Sequence, residues 1–285
     1  MDPAVLAELV ARALAEDVGS GDVTSEATVP AEARASARIV QKEPGVVFGL
    51  DVAREVFRQT GAGDLETLVG EGVWDANAPR DIARITGSAR ALLAAERVAL
   101  NFLGHLSGIA TLTARYAEAA RPGGARILDT RKTVPGLRLL AKQAVVAGGG
   151  TNHRIGLFDA ILIKENHAEL VGGIGKAVAL ARAAQPGMEV EVEVRDAKEV
   201  QGGLEARADR LLLDNMEFSG LRSAVAARAE FERASGHRAE LEASGGISLE
   251  TVAGVAGTGV DFISVGALTH SAPALDLSLL VEIDP

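Results

Sequence analysis

The sequence predicts an α/β fold in which short apolar strands alternate with helices along the second half of the chain. Three observations support this prediction. Six strand-like apolar runs recur after residue 126, Ala- and Leu-rich helical segments separate most of them, and 47% of the 285 residues are hydrophobic. Strands that alternate with helices form parallel βαβ units, and six in succession favour a barrel or a doubly wound sheet.

The first 120 residues mix helical and strand-like patterns and therefore predict a domain of a different kind. Apolar residues spaced for an amphipathic helix span residues 4–16, and a polar turn follows at residues 17–24. Strands are predicted at residues 35–41, 45–48, 65–69 and 82–88, and further helices at residues 52–59 and 92–120, the second of them interrupted near residues 104–108.

From about residue 126 the pattern becomes regular. Strands are predicted at residues 126–128, 160–163, 190–194, 211–213, 241–243 and 262–265, and helices at residues 175–184, 197–205, 221–234 and 249–256. One more strand is predicted at residues 274–283. We expect a first domain at residues 1–120, joined by residues 274–285, and a second at residues 121–273.

Composition narrows the class of protein. The formal charge is −10, the pI is about 5.1 and no long basic block occurs, which argues against a nucleic-acid partner. No apolar stretch approaches the roughly 20 residues that span a bilayer, and the Met-Asp-Pro start lacks a signal-peptide pattern. The absence of cysteine excludes disulfides, thiolate metal sites and a cysteine nucleophile. We expect a cytoplasmic enzyme.

A local cluster of positive charge stands out in this acidic chain. Between Arg126 and Lys164 there are seven Lys or Arg residues but only two acids, Asp129 and Asp159. A cationic island of this size within an acidic protein indicates a small, multiply anionic ligand rather than a long polyanion.

Each successive predicted strand ends in, or is followed by, charged residues or a glycine-rich segment. In parallel sheets and barrels the carboxyl ends of the strands share one face, where active sites are built. We therefore expect these residues to form one site. In chain order they are Arg131, Lys132, Lys164, Glu193, Asp214, Ser244, Gly245, Gly246 and Gly266.

The cations of this set suit anionic substrates. The guanidinium groups of Arg97, Arg131 and Arg154 can bind carboxylates or phosphates through two parallel hydrogen bonds, and Lys132 and Lys164 supply compact charges. Judged alone, Arg97 lies on a predicted helix and is more often a surface or interface residue.

The acids and glycines suit a phosphorylated substrate with its metal ion. Glu193 and Asp214 offer the hard oxygens that Mg²⁺ prefers, directly or through water. Residues 244–246, Ser-Gly-Gly, can cradle a phosphate with backbone N–H groups, and Gly266 can add a further contact. Each has a plainer interpretation: Glu193 in a half-solvated strand, Asp214 near a helix N-cap, and the glycines in an ordinary turn.

Several long motifs resemble those of the quinolinate phosphoribosyltransferase family. The most specific are residues 129–138 (Asp-Thr-Arg-Lys-Thr-Val-Pro-Gly-Leu-Arg), residues 148–154 and residues 163–167 (Ile-Lys-Glu-Asn-His). Similar support comes from residues 16–25, 95–102, 213–216 and 243–247, so the resemblance extends over nearly the whole chain.

The resemblance implies a two-domain fold, an N-terminal α/β sandwich followed by an open α/β barrel of about six to seven strands. It also implies transfer of phosphoribosyl from phosphoribosyl pyrophosphate to quinolinate with decarboxylation. A dimer, or an assembly of dimers, would place Arg97 of one subunit in its neighbour's site. The resemblance assigns quinolinate to Arg131, His153, Arg154 and Lys164, and it assigns phosphoribosyl pyrophosphate with its Mg²⁺ to Lys132, Glu193, Asp214, Ser244, Gly245, Gly246 and Gly266, with Thr130 beside them.

Three alternatives stay open at this point. A sister phosphoribosyltransferase, such as the paralogue found with molybdate transport genes, would use another acceptor, although residues 151–154 and 164–167 argue against it. A barrel lyase would use Lys164 to form a Schiff base with a carbonyl substrate. A non-catalytic sensor would bind phosphoribosyl pyrophosphate without turnover, but it has no need of a separate cationic pocket.

Overall fold

The computed structural model describes residues 1–283 and confirms the mixed α/β fold. Asp2 caps the first helix by accepting a 2.8 Å hydrogen bond from the backbone N–H of Ala4, and Pro3 occupies the first helical position. In chain order the first elements are α1 (Pro3–Val18), α2 (Val23–Thr28), β1 (Arg34–Gln41), β2 (Gly45–Val46), α3 (Leu50–Thr60), β3 (Glu66–Thr67), β4 (Trp74–Asp75), β5 (Arg80–Ser88) and α4 (Ala89–Ala120).

The rest of the chain alternates strands with helices, beginning after a short 3₁₀ turn at Arg121–Gly123. These elements are β6 (Arg126–Leu128), α5 (Arg138–Ala147), β7 (Ile161–Ile163), α6 (Glu165–Val171), α7 (Ile174–Ala184), β8 (Val190–Val194), α8 (Ala197–Glu205), β9 (Arg210–Asp214), α9 (Phe218–Ser235), β10 (Glu240–Ser244), α10 (Val252–Ala256), β11 (Phe262–Ser264), α11 (Ala267–His270) and β12 (Leu277–Ile283). Among residues 1–283, no helix is both long and apolar enough to cross a membrane.

The chain forms two compact units. The first contains Met1–Ala114, Val134–Gly149 and the described residues from Ser271 onward, and the second contains Arg115–Thr133 and Gly150–His270. The domain limits expected from the sequence stay a prediction.

The first unit is built on an antiparallel sheet in the order β12-β1-β5-β3. Strand β1 lies in the middle, with Ala37 opposite Val281 of β12 on one side and Ile85 of β5 on the other. Ala35, Ala37 and Ile39 alternate along β1 and are buried, as expected for a strand with one face toward a core.

Helix α4 is continuous, so the predicted interruption near residues 104–108 is wrong. Its two glycines serve close packing instead of ending the helix. A Cβ atom at Gly108 would lie 2.0 Å from the carbonyl oxygen of Pro273, and one at Gly104 would lie 3.2 Å from that of Leu275. Glycine lets the chain before β12 approach the helix backbone, and tertiary packing outweighs its low helix propensity.

The second unit contains the predicted parallel sheet, in the order β6-β11-β10-β9-β8-β7. Alternate side chains on each strand point to opposite faces. On β8, Val190, Val192 and Val194 are buried on one face, and the glutamates between them lie on the other. That other face forms the interior in which the candidate site lies.

Aromatic packing fills the interior toward the amino ends of the strands. The guanidinium carbons of Arg126 and Arg210 each lie 4.3 Å from the centre of the Phe262 ring, a distance typical of cation–π contacts. Each of the three is the first residue of its strand. The open space therefore lies toward the carboxyl ends.

Candidate active site

A cavity of about 570 Å³ lies at the carboxyl ends of the parallel strands and is lined by residues of the second unit. Its size is within the range of small-molecule sites. All the predicted site residues except Arg97 line it: Thr130, Arg131, Lys132, His153, Arg154, Lys164, Glu193, Asp214, Ser244, Gly245, Gly246 and Gly266. The tertiary structure thus brings together residues that are more than 130 positions apart in the sequence.

Hydrogen bonds hold the loop that follows β6. The hydroxyl oxygen of Thr130 accepts a 3.0 Å hydrogen bond from the backbone N–H of Lys132. The hydroxyl of Thr269 donates a 2.7 Å hydrogen bond to the backbone oxygen of Lys132. The main chain of Lys132 is therefore fixed from two sides, which positions its side chain at the cavity.

The segment before β7 is tied to the end of β6. Thr151 forms a parallel bridge with Leu128, and the backbone N–H of His153 donates a 2.9 Å hydrogen bond to the buried carboxylate of Asp129. Arg154 is then anchored at its guanidinium by a 3.2 Å hydrogen bond from Nη1 to the backbone oxygen of Ala160.

The electrostatics of this corner favour an anion. Burial lowers the pKa of Arg154, and the positive charge of Arg131 lowers it further. Two guanidinium groups that repel each other in a partly buried site lose that repulsion when an anion binds between them. The pair is therefore suited to a ligand that carries more than one carboxylate or phosphate.

Lys164 and Glu193 form an ion pair across neighbouring strands. Lys164 Nζ lies 2.9 Å from Glu193 Oε2, and the lysine side chain is 53% exposed. An exposed pair of this kind contributes little to stability, so it can separate at small cost when ligands arrive. Both groups remain available for substrate.

The end of β9 packs closely against the end of β10. Asn215 adopts a left-handed conformation, donates its backbone N–H to the carbonyl oxygen of Ser244 at 2.8 Å, and donates its side-chain amide to Asp214 at 2.8 Å. Gly245 has a φ of +100°, and a Cβ atom there would lie 2.1 Å from Asn215 Oδ1. Glycine is therefore required at this position, and it leaves the backbone open to a ligand.

The carboxylates of Glu193 and Asp214 fit the chemistry of a magnesium site. They lie at the carboxyl ends of the adjacent parallel strands β8 and β9 and line the same cavity. Carboxylate oxygens are the ligands Mg²⁺ prefers, and the ion commonly reaches a protein through one or two of them together with substrate phosphates.

Two buried glutamates were not predicted as functional, although one of them, Glu242, lines the cavity. Glu191 and Glu242 are 4% and 0% exposed. Burial raises the pKa of Glu191 to about 7 and, together with the neighbouring charge of Glu191, raises the pKa of Glu242 to about 8. The period-two pattern Glu-Val-Glu-Val-Glu at residues 189–193 predicts a strand with glutamates on one face. It does not show that this face points into the interior of the protein.

His153, which also lines the cavity, lies beside both glutamates. Its Nε2 atom lies 2.9 Å from Glu191 Oε2 and 3.6 Å from Glu242 Oε2. His270 also lines the cavity, and no feature of the sequence pointed to it.

Arg97 lies elsewhere. It belongs to the first unit, its side chain is 64% exposed, and its nearest acidic partner is Glu96 at 3.8 Å. Within the described residues of one chain, the cavity lining does not include it.

Two family models cover most of the chain. The model for the quinolinate phosphoribosyl transferase N-terminal domain matches residues 22–107, and the model for the C-terminal domain matches residues 109–280. Among curated proteins, the nicotinate-nucleotide pyrophosphorylase [carboxylating] of Mycobacterium leprae is 44% identical over 277 residues, covering 95% of each chain. The chloroplastic enzyme of the same name from Oryza sativa subsp. japonica is 43% identical over 296 residues, covering 95% of this chain and 76% of its own.

Solved structures agree with these sequence relationships. The nicotinate-nucleotide pyrophosphorylase from Francisella tularensis superposes with a TM-score of 0.91 at 39% identity, and the match covers 99% of this chain and 98% of that one. The similarity therefore includes both family domains.

Proposed function

Because the chain belongs to the quinolinate phosphoribosyltransferase family, we propose that it transfers phosphoribosyl from phosphoribosyl pyrophosphate to quinolinate with loss of CO₂. The products are nicotinic acid mononucleotide, a precursor of NAD, and pyrophosphate. The observation that supports this most directly is a cavity in which four Lys and Arg side chains meet three acidic side chains and a glycine turn.

The cationic side of the cavity suits quinolinate, which carries two adjacent carboxylates. Arg131, His153, Arg154 and Lys164 would surround these carboxylates. The mutual repulsion of Arg131 and Arg154 in the free protein gives a physical reason for binding a dianion there.

The opposite side suits phosphoribosyl pyrophosphate. Glu193 and Asp214 would hold its Mg²⁺, directly or through water, and the ion would offset negative charge on the pyrophosphate as it departs. Lys132 would add a cation. The backbone at Ser244, Gly245, Gly246 and Gly266 would bind phosphate oxygens, with Thr130 supporting Lys132.

The reaction needs positioned charges rather than a covalent enzyme intermediate. The ring nitrogen of quinolinate attacks ribose C1, and the bond from C1 to the pyrophosphate oxygen breaks. The bond from ring carbon 2 to its carboxylate then breaks, CO₂ leaves, and a proton adds to the carbon. Lys132 and Lys164 would stabilise charge that develops on the substrates, while Arg131 and Arg154 hold the ring in place.

The direct test is to incubate the purified protein with quinolinate, phosphoribosyl pyrophosphate and Mg²⁺. We expect CO₂ and nicotinic acid mononucleotide in equal amounts, and neither product when Mg²⁺ is omitted. Folded protein that binds phosphoribosyl pyrophosphate but forms no product would reject the proposal in favour of another acceptor or a sensor.

We further propose a homodimer, or an assembly of dimers, in which Arg97 enters the partner's cavity and contacts quinolinate. The exposure of Arg97 and its absence from the cavity of its own chain support this arrangement. Mixing the impaired Arg97→Ala and Arg131→Ala proteins under subunit exchange should return about a quarter of the active sites to full activity, because half the dimers gain one intact site. No recovery despite exchange would place Arg97 outside the partner's site.

The cytoplasmic location expected from the sequence stays a prediction. Cell fractionation with an antibody to the protein would test it.

A further inference from the structure

The imidazole ring of His153 is held by the protein through both nitrogens. Its Nδ1 atom accepts a 2.7 Å hydrogen bond from the backbone N–H of Arg154, so Nδ1 carries no proton. Its Nε2 atom lies 2.9 Å from Glu191 Oε2 and can only donate to that carboxylate. This arrangement specifies a neutral imidazole with the proton on Nε2.

Glu242 lies beside Glu191 at the same imidazole ring. His153 Nε2 lies 3.6 Å from Glu242 Oε2, so both buried carboxyl groups converge on one ring nitrogen. Glu191 Oε1 and Glu242 Oε2 are buried and have no hydrogen-bond partner. The hydroxyl of Ser264 donates to the other oxygen of Glu242 and fixes its orientation.

The network connects distant parts of the second unit. Glu191 belongs to β8, Glu242 to β10 and Ser264 to β11, while His153 is tied through its backbone N–H to Asp129 after β6. The ring of His153 is therefore held by Glu191 of β8, and its main chain is held by Asp129, which follows β6. Because Arg154 is the next residue, both contacts restrict its position.

We propose that Glu191 is a positioning residue that orients the ring of His153 and, through the hydrogen bond from the Arg154 N–H to that ring, the place of Arg154 in the cavity. This inference rests on the proposed function and refines the role of His153 within it.

The kinetic test compares three variants. Glu191→Ala removes the acceptor for His153 and should raise the KM for quinolinate about 10-fold to 100-fold, the range for a lost buried hydrogen bond, with the KM for phosphoribosyl pyrophosphate nearly unchanged. Glu191→Gln keeps an acceptor oxygen for His153 and an N–H for Glu242, so it should retain near wild-type kinetics. Glu189→Ala is the matched control, because Glu189 precedes the same strand on the same face and its side chain is 47% exposed.

A second measurement does not depend on activity. Imidazole ¹⁵N spectra of the ligand-free protein, assigned with a His153→Gln variant, should show His153 protonated at Nε2 and unprotonated at Nδ1. The same pattern should persist in Glu191→Gln. It should be lost in Glu191→Ala, because a ring without its Nε2 partner can turn away from the Arg154 N–H, and both tautomers then become populated. If the wild type makes no nicotinic acid mononucleotide but gives this spectrum, the proposed function fails while the positioning of His153 stands.

Three outcomes would overturn the inference. One is a Glu191→Gln protein as impaired as Glu191→Ala, since charge rather than hydrogen bonding would then be required. Another is a wild-type His153 protonated at Nδ1. The third is a tightly retained transition metal, measured by elemental analysis of the purified protein and lost in Glu242→Gln, because His153, Glu191 and Glu242 have ligand atoms within 4.8 Å of one another.

Discussion

Replacing Glu242 with glutamine removes a proton-binding group from the interior of the parallel sheet while keeping its shape. In the wild type, Ser264 donates to Glu242 Oε1, and burial raises the pKa of Glu242 to about 8. A glutamine can accept from Ser264 through its oxygen and carries no charge, like the protonated carboxyl group. The substitution therefore imitates the protonated state at every pH.

The size of the effect follows from the two pKa values. A glutamate in the unfolded chain titrates near 4.5, so between that pH and about 8 the folded protein holds a proton that the unfolded chain has released. The stability that this group contributes is fully present below pH 4.5 and is lost as the pH rises, at about 1.36 kcal/mol per pH unit. From pH 5 to pH 7 the wild type should lose roughly 2–3 kcal/mol of unfolding free energy relative to Glu242→Gln.

Urea unfolding at pH 5, 6 and 7, with both proteins measured at equal concentration, gives the required difference in unfolding free energy. Glu240→Gln is the control, because Glu240 lies two residues earlier on the same strand with a side chain that is 39% exposed. It should not reproduce the trend. A difference between wild type and Glu242→Gln that stays constant within about 0.5 kcal/mol from pH 5 to pH 7 would refute the reasoning, since Glu242 would then be ionised in the folded protein.

Three further substitutions test the site. Arg131→Ala should lower kcat/KM for quinolinate about 10-fold to 100-fold through loss of a charged hydrogen bond, whereas Arg182→Ala, outside the cavity, should leave it unchanged. Asp214→Asn should lower kcat/KM for phosphoribosyl pyrophosphate on the order of 100-fold, while quinolinate binding measured by calorimetry stays intact. Gly245→Ala should reduce the free energy of unfolding by about 1–3 kcal/mol, because its φ is +100° and its Cβ would lie 2.1 Å from Asn215 Oδ1. Gly175→Ala, where a Cβ atom has open space, should not destabilise the protein. Equal effects of the two glycine substitutions would contradict the packing argument.

The fold could be predicted because it follows from local periodicity. Short apolar runs separated by helical segments are a property of consecutive residues, and parallel pairing follows from their alternation. The same rule placed Glu193, Asp214 and the glycines of residues 244–246 at the carboxyl ends of strands. The structure has all of them at one cavity, although their individual roles stay predictions.

Predictions from local sequence patterns were wrong where contacts with a distant segment determined the structure. Gly104 and Gly108 indicated an interruption of α4, but in the folded chain they admit the backbone before β12, from more than 160 residues away in the sequence. Glu191 belonged to a strand whose alternation fitted a half-solvated surface, and its burial depends on the strands that surround it.

The sequence by itself determined the alternation of strands and helices, the kinds of charge at the strand ends and the resemblance to a family. Only the tertiary structure decided that Glu191 and Glu242 meet beside Nε2 of His153. The physical reason is that burial and hydrogen-bond geometry depend on β6, β8 and β10 coming together in space, whereas strand and helix propensity depends only on neighbours along the chain.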